Sequence, residues 1–358
     1  LAAPVLARRL RDTQDAELRG ALLKAMARLA GDLPLQLVRE FYRQIREGER
    51  FENPAEAEVV AEFLQKGAAG DEKTFNKLMG DDDAYAWLKE LVKDAQLSGE
   101  PRLVEWASRM AARFELMIMQ DLAMWLAPGE DVETDDNGRA TRWADQSGAG
   151  HHAVQPSGGA RPTFVPAGEG GPAHLAFQGG DYLAIEQLHY EQAGAVEDVS
   201  VLLWFRTRDD TAGVVDFDRS EAWSLGIAFH SGDRNAGRLS WDTTAETGKT
   251  HDMLSPASVA DGAWHQAVVS YDGSRGRKRI YVDGVLVAEQ YAYPARTRLG
   301  SGARRYGFVG DGSEAGDFNA GRNSRHFTGE IAEVAIWRRA LTGGEVRSHY
   351  RMRSRSLP

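Results

Sequence analysis

Apolar and polar residues follow two different periods along the chain. Up to about residue 120, apolar residues recur three or four positions apart, as they do on one face of an amphipathic helix. Within residues 17–30, for example, one face carries Leu18, Leu22, Ala25 and Leu29. After residue 120, short alternating or apolar runs stand between clusters of Gly, Asp and Pro. These runs predict strands joined by tight turns.

The clearest local pattern is a β-meander over residues 261–290. It predicts strands at 263–271, at 278–282 and from 285 to 288. Asp-Gly pairs stand at both turns, at 272–273 and 283–284. Asp and Gly tolerate positive φ at little cost, so an Asp-Gly pair between two apolar runs is a strong hairpin signal.

The rest of the β-rich part contains further short runs. We predict a first strand at 122–126, and others at 173–177, 199–206, 214–217, 223–229 and 238–241. Many short strands with regular turn signals are typical of a sandwich of two sheets. Near the end, Thr342 as N-cap with Glu345 three residues later predicts a short helix that runs through Tyr350.

Three blocks of this part resemble one known family. They are residues 143–155 (WADQSGAGHHAVQ) with 175–185 (LAFQGGDYLAI), residues 261–290, and residues 327–346 (FTGEIAEVAIWRRALTGGEV). Together they resemble the laminin-G and pentraxin-like branch of the concanavalin A-like lectin/glucanase superfamily. The resemblance implies a jelly roll of two antiparallel sheets. It implies little about activity, because one fold hosts many functions.

The helical part carries a resemblance of its own. Residues 9–29 resemble one HEAT repeat, and successive helix pairs follow at roughly the 35–40-residue spacing of such repeats. An irregular bundle is the alternative. We therefore predict a multidomain α + β chain, with an all-α, HEAT-like or irregular helical domain over residues 1–120. An all-β, concanavalin A-like jelly-roll sandwich with a short final helix follows over residues 121–358.

Composition excludes several classes of function. The 358 residues include no cysteine, which excludes disulfides, thiolate zinc sites, iron–sulfur clusters and cysteine nucleophiles. The net charge of −10, without a basic stripe, argues against a nucleic-acid partner. No apolar run approaches the ~20 residues that span a membrane, so we predict no direct membrane insertion. The chain begins at Leu1 on a helical pattern, which we interpret as a processed chain or part of a longer one.

The most specific candidate for catalysis is DFDRSE at residues 216–221. Retaining glucanases of the resembled superfamily carry Glu-x-Asp-x-x-Glu on a strand. Here Asp216, Asp218 and Glu221 stand at that spacing, with Asp in place of the first Glu, and strand alternation would put Asp216 and Asp218 on one face. A retaining pair lies ~5–5.5 Å apart, and the shorter Asp withdraws the nucleophile by about one methylene. We favour the other interpretation, a solvated strand end beside a turn, and we predict Asp216, Asp218 and Glu221 as ligand-binding rather than catalytic residues.

A structural calcium ion is the candidate cofactor. Relatives in the resembled family bind calcium through an acidic residue of a closing-strand motif that reads Ile-Asp-Glu-Val. Residues 331–334 read IAEV, so Ala332 replaces that carboxylate, and alternation directs Glu333 to the opposite face. Calcium needs six to eight oxygens, and Asp181 in GGDYL is the remaining candidate ligand. We predict no cofactor, with calcium at Asp181 as the alternative.

Aromatic residues indicate binding more than catalysis. No zinc-binding histidine spacing and no Gly-x-Ser-x-Gly motif occurs. Four aromatic residues fall on predicted strands or loops that line a concave face where sugars stack: Trp223, Trp241, Tyr291 and Tyr293. The other interpretation is that some of these rings belong to the core, together with Trp204, Trp264 and Trp337, because sequence alone does not separate buried from exposed rings.

These observations favour a non-catalytic module of bacterial origin. We predict an extracytoplasmic (periplasmic, cell-surface or secreted) interaction or assembly module of a larger protein or complex. Its partners would be protein subunits of that assembly or a glycan. The first alternative is a carbohydrate-binding module. The second is a glycoside hydrolase of the glucanase type that uses Asp216 and Glu221.

Overall fold

The structure is a computed structural model that describes residues 119–127, 131–168, 171–228, 235–323 and 325–354. These residues make up the β-rich part of the chain. The predicted helical domain, residues 1–120, and its HEAT-like character lie outside the described residues apart from the last two positions.

The described residues form nineteen strands and one α-helix, α1 (Gly343–Arg353). The strands are β1 (Leu122–Leu126), β2 (Val132–Thr134), β3 (Ala140–Trp143), β4 (Ala153–Val154), β5 (Thr163–Val165), β6 (His174–Gln178), β7 (Leu183–Tyr190), β8 (Ala193–Val196), β9 (Asp198–Thr207), β10 (Ala212–Asp216), β11 (Trp223–Ile227), β12 (Arg238–Thr244), β13 (Thr250–Ser258), β14 (His265–Asp272), β15 (Arg277–Val282), β16 (Val285–Tyr291), β17 (Leu299–Ser301), β18 (Arg305–Val309) and β19 (Thr328–Trp337).

The strands form a sandwich of two large antiparallel sheets. Sheet A has the order β16-β15-β14-β9-β19-β6-β5, and β1 also pairs with β19. Sheet B has the order β13-β12-β11-β10-β18-β7-β4-β3-β2, and β17 pairs with β8 in a separate ribbon. Large buried side chains from both sheets fill the space between them, among them Trp143, Phe205, Trp223, Trp241 and Tyr271. The all-β sandwich predicted for this part of the chain is confirmed.

The β-meander forms as its turn residues predict. β14, β15 and β16 pair in sequence within sheet A. Asp283 and Gly284, between β15 and β16, have φ values of 52° and 78°, the left-handed conformation that a two-residue hairpin of this kind requires. The predicted strand at 223–229 ends earlier, at Ile227, because Ala228 has a φ of 41°.

A third layer, helix α1, covers the outer face of sheet A. Thr342 accepts from the amide of Glu345, and the Glu345 side chain accepts from the amide of Thr342, which completes the predicted capping box. Val346 of α1 packs into a buried cluster with Leu202 and Trp204 of β9. The helix continues to Arg353, one turn beyond the predicted end at Tyr350.

Strand β1 belongs to the sandwich, as predicted from residues 122–126. Met124 and Leu126 are fully buried, and β1 pairs with β19.

We expect a fragment that begins at Gly138 to melt at least about 10 °C below one that begins at Gln120. Each lost buried side chain costs about 2–5 kcal/mol, and 1 kcal/mol corresponds to about 2–4 °C for a domain of this size. Equal melting temperatures by circular dichroism would contradict this.

Candidate functional site

The outer face of sheet B carries a row of polar residues across four neighbouring strands. Asp216 of β10 pairs with Ser224 of β11, Ser224 with Asp242 of β12, and Asp242 with Asp252 of β13. We call these four residues the acidic row. On β11, β12 and β13, sequence neighbours of these residues belong to the core between the sheets: Trp223, Leu225, Trp241 and Met253. Because side chains alternate along a strand, the acidic row faces away from the core.

Asp216 ends strand β10 but is not solvated, so the interpretation of the glucanase-like motif as a solvated strand end is wrong for this residue. Its side chain is fully buried. One carboxylate oxygen accepts from the amide of Asp218 at 2.7 Å, and the other accepts from the amide of Ser313 at 3.0 Å. Burial raises the pKa of Asp216 well above its ordinary value, and the neighbouring Asp218 raises it further.

The other two carboxylates of the glucanase-like motif are also bound by the protein itself. Strand β10 ends at Asp216, and Asp218 has a φ of 65°, so the predicted alternation of Asp216 and Asp218 along one strand face does not hold. Asp218 accepts from Arg305 Nε at 2.6 Å. Glu221 accepts from the hydroxyl of Ser301.

Asp242 is the exception in this region. It is 1% exposed, and neither carboxylate oxygen meets a hydrogen-bond donor within the described ranges. The amide of Met253 lies near enough to favour the charged form of Asp242, without donating a hydrogen bond to it. The hydroxyl of Ser224, on the neighbouring strand, is likewise buried and unpartnered among the described residues.

Two cations lie near Asp242, one on each side of sheet B. Arg219, in the turn after β10, makes a two-pronged ion pair with Asp252. Lys278 of β15 is fully buried on the core side, and its ammonium donates to the carbonyls of Trp241 at 2.6 Å and His251 at 2.7 Å. Burial lowers the pKa of Lys278, and Asp242 opposes that shift.

The sequence analysis did not predict that Asp242, Ser224, Asp252 and Arg219 lie together. The predicted strand 238–241 stops one residue before Asp242, although alternation with the apolar Leu239 and Trp241 would place Asp242 on the outer face. The register that brings the four residues together depends on pairing between strands, which no short sequence signal specifies.

The four aromatic residues proposed for binding divide into two groups. Trp223 and Trp241 are fully buried and Tyr293 is 5% exposed, so these three rings are core residues without a free face for a sugar. Tyr293 is also held by its hydroxyl, which lies 2.9 Å from the carbonyl of Thr243. Tyr291 of β16 is 69% exposed and is the one of the four that a ligand can reach.

Asp181, the candidate calcium ligand, is occupied by protein donors. It is 7% exposed, accepts from Arg139 Nη2 at 3.1 Å and accepts from the amide of Gln178 at 2.9 Å. Within the described residues, no group of three or more His, Asp or Glu side chains is placed to hold a metal ion.

Glu333 does not point away from Ala332 as strand alternation predicts. The register of β19 shifts between Ile331 and Glu333, and such a bulge interrupts alternation. Ala332 is buried in the cluster beneath α1. Glu333 points to the same layer, where it lies 3.3 Å from His349 Nε2 and 3.1 Å from Arg353 Nη2.

We predict that calcium has little effect on the stability of the fold. Ala332 packs as an ordinary strand residue, and the carboxylate of Asp181 is paired with Arg139. The expected result is the same melting temperature, within about 2 °C, in excess EDTA and in millimolar calcium, since a site without enough carboxylates binds too weakly to contribute. A calcium-dependent rise of many degrees would show that Asp181 and backbone carbonyls form a site.

One family model matches the β-rich part of the chain. The model of the concanavalin A-like lectin/glucanases superfamily matches residues 177–347, from the end of β6 into α1. The resemblance of this part to that superfamily is therefore confirmed. Among curated proteins, none matches the chain.

Several solved structures are similar to the chain. They include the binding domain of Paraclostridial Mosquitocidal Protein 1, with 11% identity and a TM-score of 0.45 over 65% of this chain and 52% of that one. The botulinum neurotoxin serotype G binding domain has 16% identity and a TM-score of 0.42 over 59% and 48% of the two chains. The serotype D ligand-binding domain in complex with N-acetylneuraminic acid has 12% identity and a TM-score of 0.44 over 67% and 52%. The chain thus spans about half the length of each structure.

Helix α1 has 11 residues, about half the length that crosses a membrane. No helix within the described ranges is long and apolar enough to span a bilayer.

Proposed function

We propose that this chain is a non-catalytic, extracytoplasmic interaction and assembly module of a larger protein or complex, and that a protein segment binds along strand β16. Strand β16 carries the proposal because it is an exposed edge of sheet A. It pairs with β15 on one side, and no other described strand pairs with it. The exposed fractions of Val285, Leu286 and Tyr291 are 61%, 46% and 69%.

The composition of β16 suits the addition of a strand. Edge strands are often protected by Lys, Pro or other charges. Strand β16 (VLVAEQY) contains neither Lys nor Pro, and its one charged residue, Glu289, is paired with Arg279. By contrast β13, the first strand of sheet B, contains Pro256. An extended partner segment would pair with the backbone groups on the outer edge of β16, which no other described strand uses, and its apolar side chains would cover Leu286 and Tyr291.

A carbohydrate-binding module is the second candidate, and Tyr291 favours it. An exposed aromatic ring is the common platform on which sugars stack, and its hydroxyl adds a hydrogen bond at the rim. Phe318, which is 40% exposed, is a second exposed aromatic side chain among the described residues. It lies outside β16, in the segment between β18 and β19.

The experiment compares three variants with the unaltered full chain: a β16 double variant, Tyr291→Lys alone, and a control. Leu286→Lys with Tyr291→Lys places charges on the edge strand, and Phe318→Lys is the matched control. We expect affinity capture from a periplasmic or cell-surface fraction to recover a protein with the unaltered chain and the control, and to lose it with the β16 variant. Binding to a glycan array that Tyr291→Lys alone is enough to abolish, and that Phe318→Lys leaves intact, would instead support the carbohydrate-binding module. Equal protein capture by the unaltered chain, the β16 double variant and the Phe318→Lys control would contradict a role for β16.

We expect the chain to have no glucanase activity. A general acid must reach the glycosidic oxygen, and Asp216 is fully buried while Asp218 and Glu221 are bound by Arg305 and Ser301. The measurement is release of reducing sugar from β-glucans by the unaltered chain, Asp216→Asn and Glu221→Gln. Release by the unaltered chain that either variant abolishes would establish the hydrolase instead.

A further inference from the structure

The middle of the acidic row holds polar groups that no described residue binds. The carboxyl group of Asp242 is 1% exposed and the hydroxyl of Ser224 is fully buried, and neither has a hydrogen-bond partner within the described part of the chain. The two residues are register partners on neighbouring strands. Buried polar groups are nearly always hydrogen-bonded, so two unsatisfied neighbours indicate a place where another molecule supplies the missing donors.

The neighbouring residues show which donor suits this place. Asp252, the register partner of Asp242, accepts from Arg219 Nε at 2.8 Å and from Arg219 Nη2 at 2.5 Å. This two-pronged geometry is characteristic of a guanidinium on a carboxylate. A guanidinium has five N–H donors. Arg219 uses two of its donors on Asp252 and none on Asp242, so a guanidinium held in a different orientation has enough donors for both carboxylates.

Arg219 lies near Asp242, where its charge opposes the rise in the pKa of that carboxyl, and it is held by a part-exposed ion pair with Asp252. The exposed fractions of the Arg219 and Asp252 side chains are 23% and 32%, and ion pairs this close to solvent contribute little to stability. The backbone of the turn is held separately, since the carbonyl of Arg219 accepts from Thr244 Oγ1 at 2.6 Å. The side chain can therefore swing away while the turn stays in place.

We propose that the acidic row binds the guanidinium of an arginine side chain from a partner protein, which displaces Arg219 and bonds Asp242 and Asp252 together. The site lies on sheet B, whereas the proposed edge β16 lies in sheet A. It therefore adds a second contact and a specific chemistry to the proposed function, and its test does not depend on whether a partner binds β16.

The charges around Asp242 make this binding depend on pH. Burial raises the pKa of Asp242, and the charge of Asp252 adds to the rise. The pKa reaches about 7, although Lys278 and Arg219 oppose the rise. Asp216 is the other acidic group of the row that faces Asp242. A bound guanidinium favours the ionised form of Asp242, so binding releases protons and becomes tighter as the pH rises through neutrality.

The test is isothermal titration calorimetry of the full chain with N-acetyl-arginine amide. N-acetyl-citrulline amide, which has nearly the same shape and no charge, is the control ligand. We expect Arg219→Gln to bind the arginine amide at least about ten-fold more tightly than the unaltered chain at pH 8, because the guanidinium that competes for Asp252 is removed. The citrulline amide should bind neither chain.

Two further variants test whether the arginine amide binds at Asp242 or responds only to the change in net charge. Arg279→Gln breaks a matched ion pair, since Arg279 and Glu289 are 2.6 Å apart with exposed fractions of 21% and 34%, and it should leave binding unchanged. Asp242→Asn, introduced together with Arg219→Gln, should weaken binding at least about ten-fold. It should also abolish the tightening of roughly ten-fold between pH 6 and pH 8 that a group titrating near neutrality produces. An unchanged near-ultraviolet circular dichroism spectrum confirms that each variant is folded.

Three results would overturn the proposal. One is equal binding of the arginine and citrulline amides, and another is undiminished binding after Asp242→Asn. The third is the absence of any gain in affinity from Arg219→Gln. In each case Asp242 would be a buried, protonated residue of the fold, and a β16-dependent partner would still be detected by its own experiment.

Discussion

Glu333→Ala is expected to lower the free energy of unfolding by about 3–5 kcal/mol, the usual cost of removing one partner of a buried charge pair. Glu333 is 1% exposed and joins three elements. Its carboxylate accepts from Trp125 Nε1 at 2.7 Å and lies 3.3 Å from His349 Nε2 and 3.1 Å from Arg353 Nη2. Without it, β1, β19 and α1 lose their shared partner. Urea unfolding followed by tryptophan fluorescence measures the change.

The pH dependence of Glu333 adds a second readout. Burial works against the charged form, but His349 and Arg353 outweigh it and lower the pKa of Glu333 to about 2. A carboxyl whose folded pKa lies below its unfolded value stabilises the fold above the unfolded value, near 4.5. That contribution is lost as the pH falls from there towards 2. We therefore expect the difference between the unaltered chain and Glu333→Ala to shrink below pH 4.5.

Two controls make the expectation specific. Glu330→Ala removes the carboxylate that pairs with Arg206, where both side chains are about a third exposed or less, and should cost about 1 kcal/mol or less. Glu333→Gln keeps one acceptor for Trp125 and should cost less than Glu333→Ala. A Glu333→Ala variant as stable as Glu330→Ala would show that the network beneath α1 contributes little.

Trp241→Ala is expected to cost about 3–5 kcal/mol, as large-to-small changes of buried aromatic residues do. Trp241 is fully buried in the core between the sheets, with its ring centroid 5.6 Å from that of Trp223. Because the tightly packed surroundings relax only in part, the substitution leaves a cavity. The melting temperature and the free energy of unfolding are the quantities to compare.

Tyr291→Ala is the matched control for Trp241→Ala. Tyr291 is 69% exposed, and substitutions at such positions usually change stability by about 0.5 kcal/mol or less. The stability of the two variants should therefore differ by several kcal/mol. If Trp241→Ala left stability intact and abolished binding instead, the sequence-based interpretation of Trp241 as a ligand platform would be restored.

Local signals account for the parts of the fold that the sequence predicts well. The hairpin between β15 and β16 follows from Asp283-Gly284, whose conformation depends on those two residues. The start of α1 follows from Thr342 and Glu345, which cap the helix through bonds three residues apart. The strand β1 follows from a short apolar run. In each case the deciding interaction lies within a few residues.

The candidate sites depend on interactions that no local pattern contains. The interpretation of Asp216 as solvated fails because Ser313, nearly a hundred residues later, supplies an amide to its carboxylate. The predicted direction of Glu333 fails because the pairing of β19 with β9 contains a bulge. Trp223 and Trp241 are candidates for binding by sequence because a strand pattern does not say which face of the sheet is covered.

The sequence by itself thus determined the turns, the helix cap, most strand positions and the resemblance to the concanavalin A-like superfamily. These depend on backbone preferences and on the alternation of apolar residues, which are properties of short segments. Only the tertiary structure decided that Asp216, Ser224, Asp242 and Asp252 form one row, and that Asp242 lacks a hydrogen-bond partner among the described residues. The physical reason is that cross-strand register and burial arise from pairing and packing between segments far apart in the chain, and these decide which polar groups remain free for a ligand.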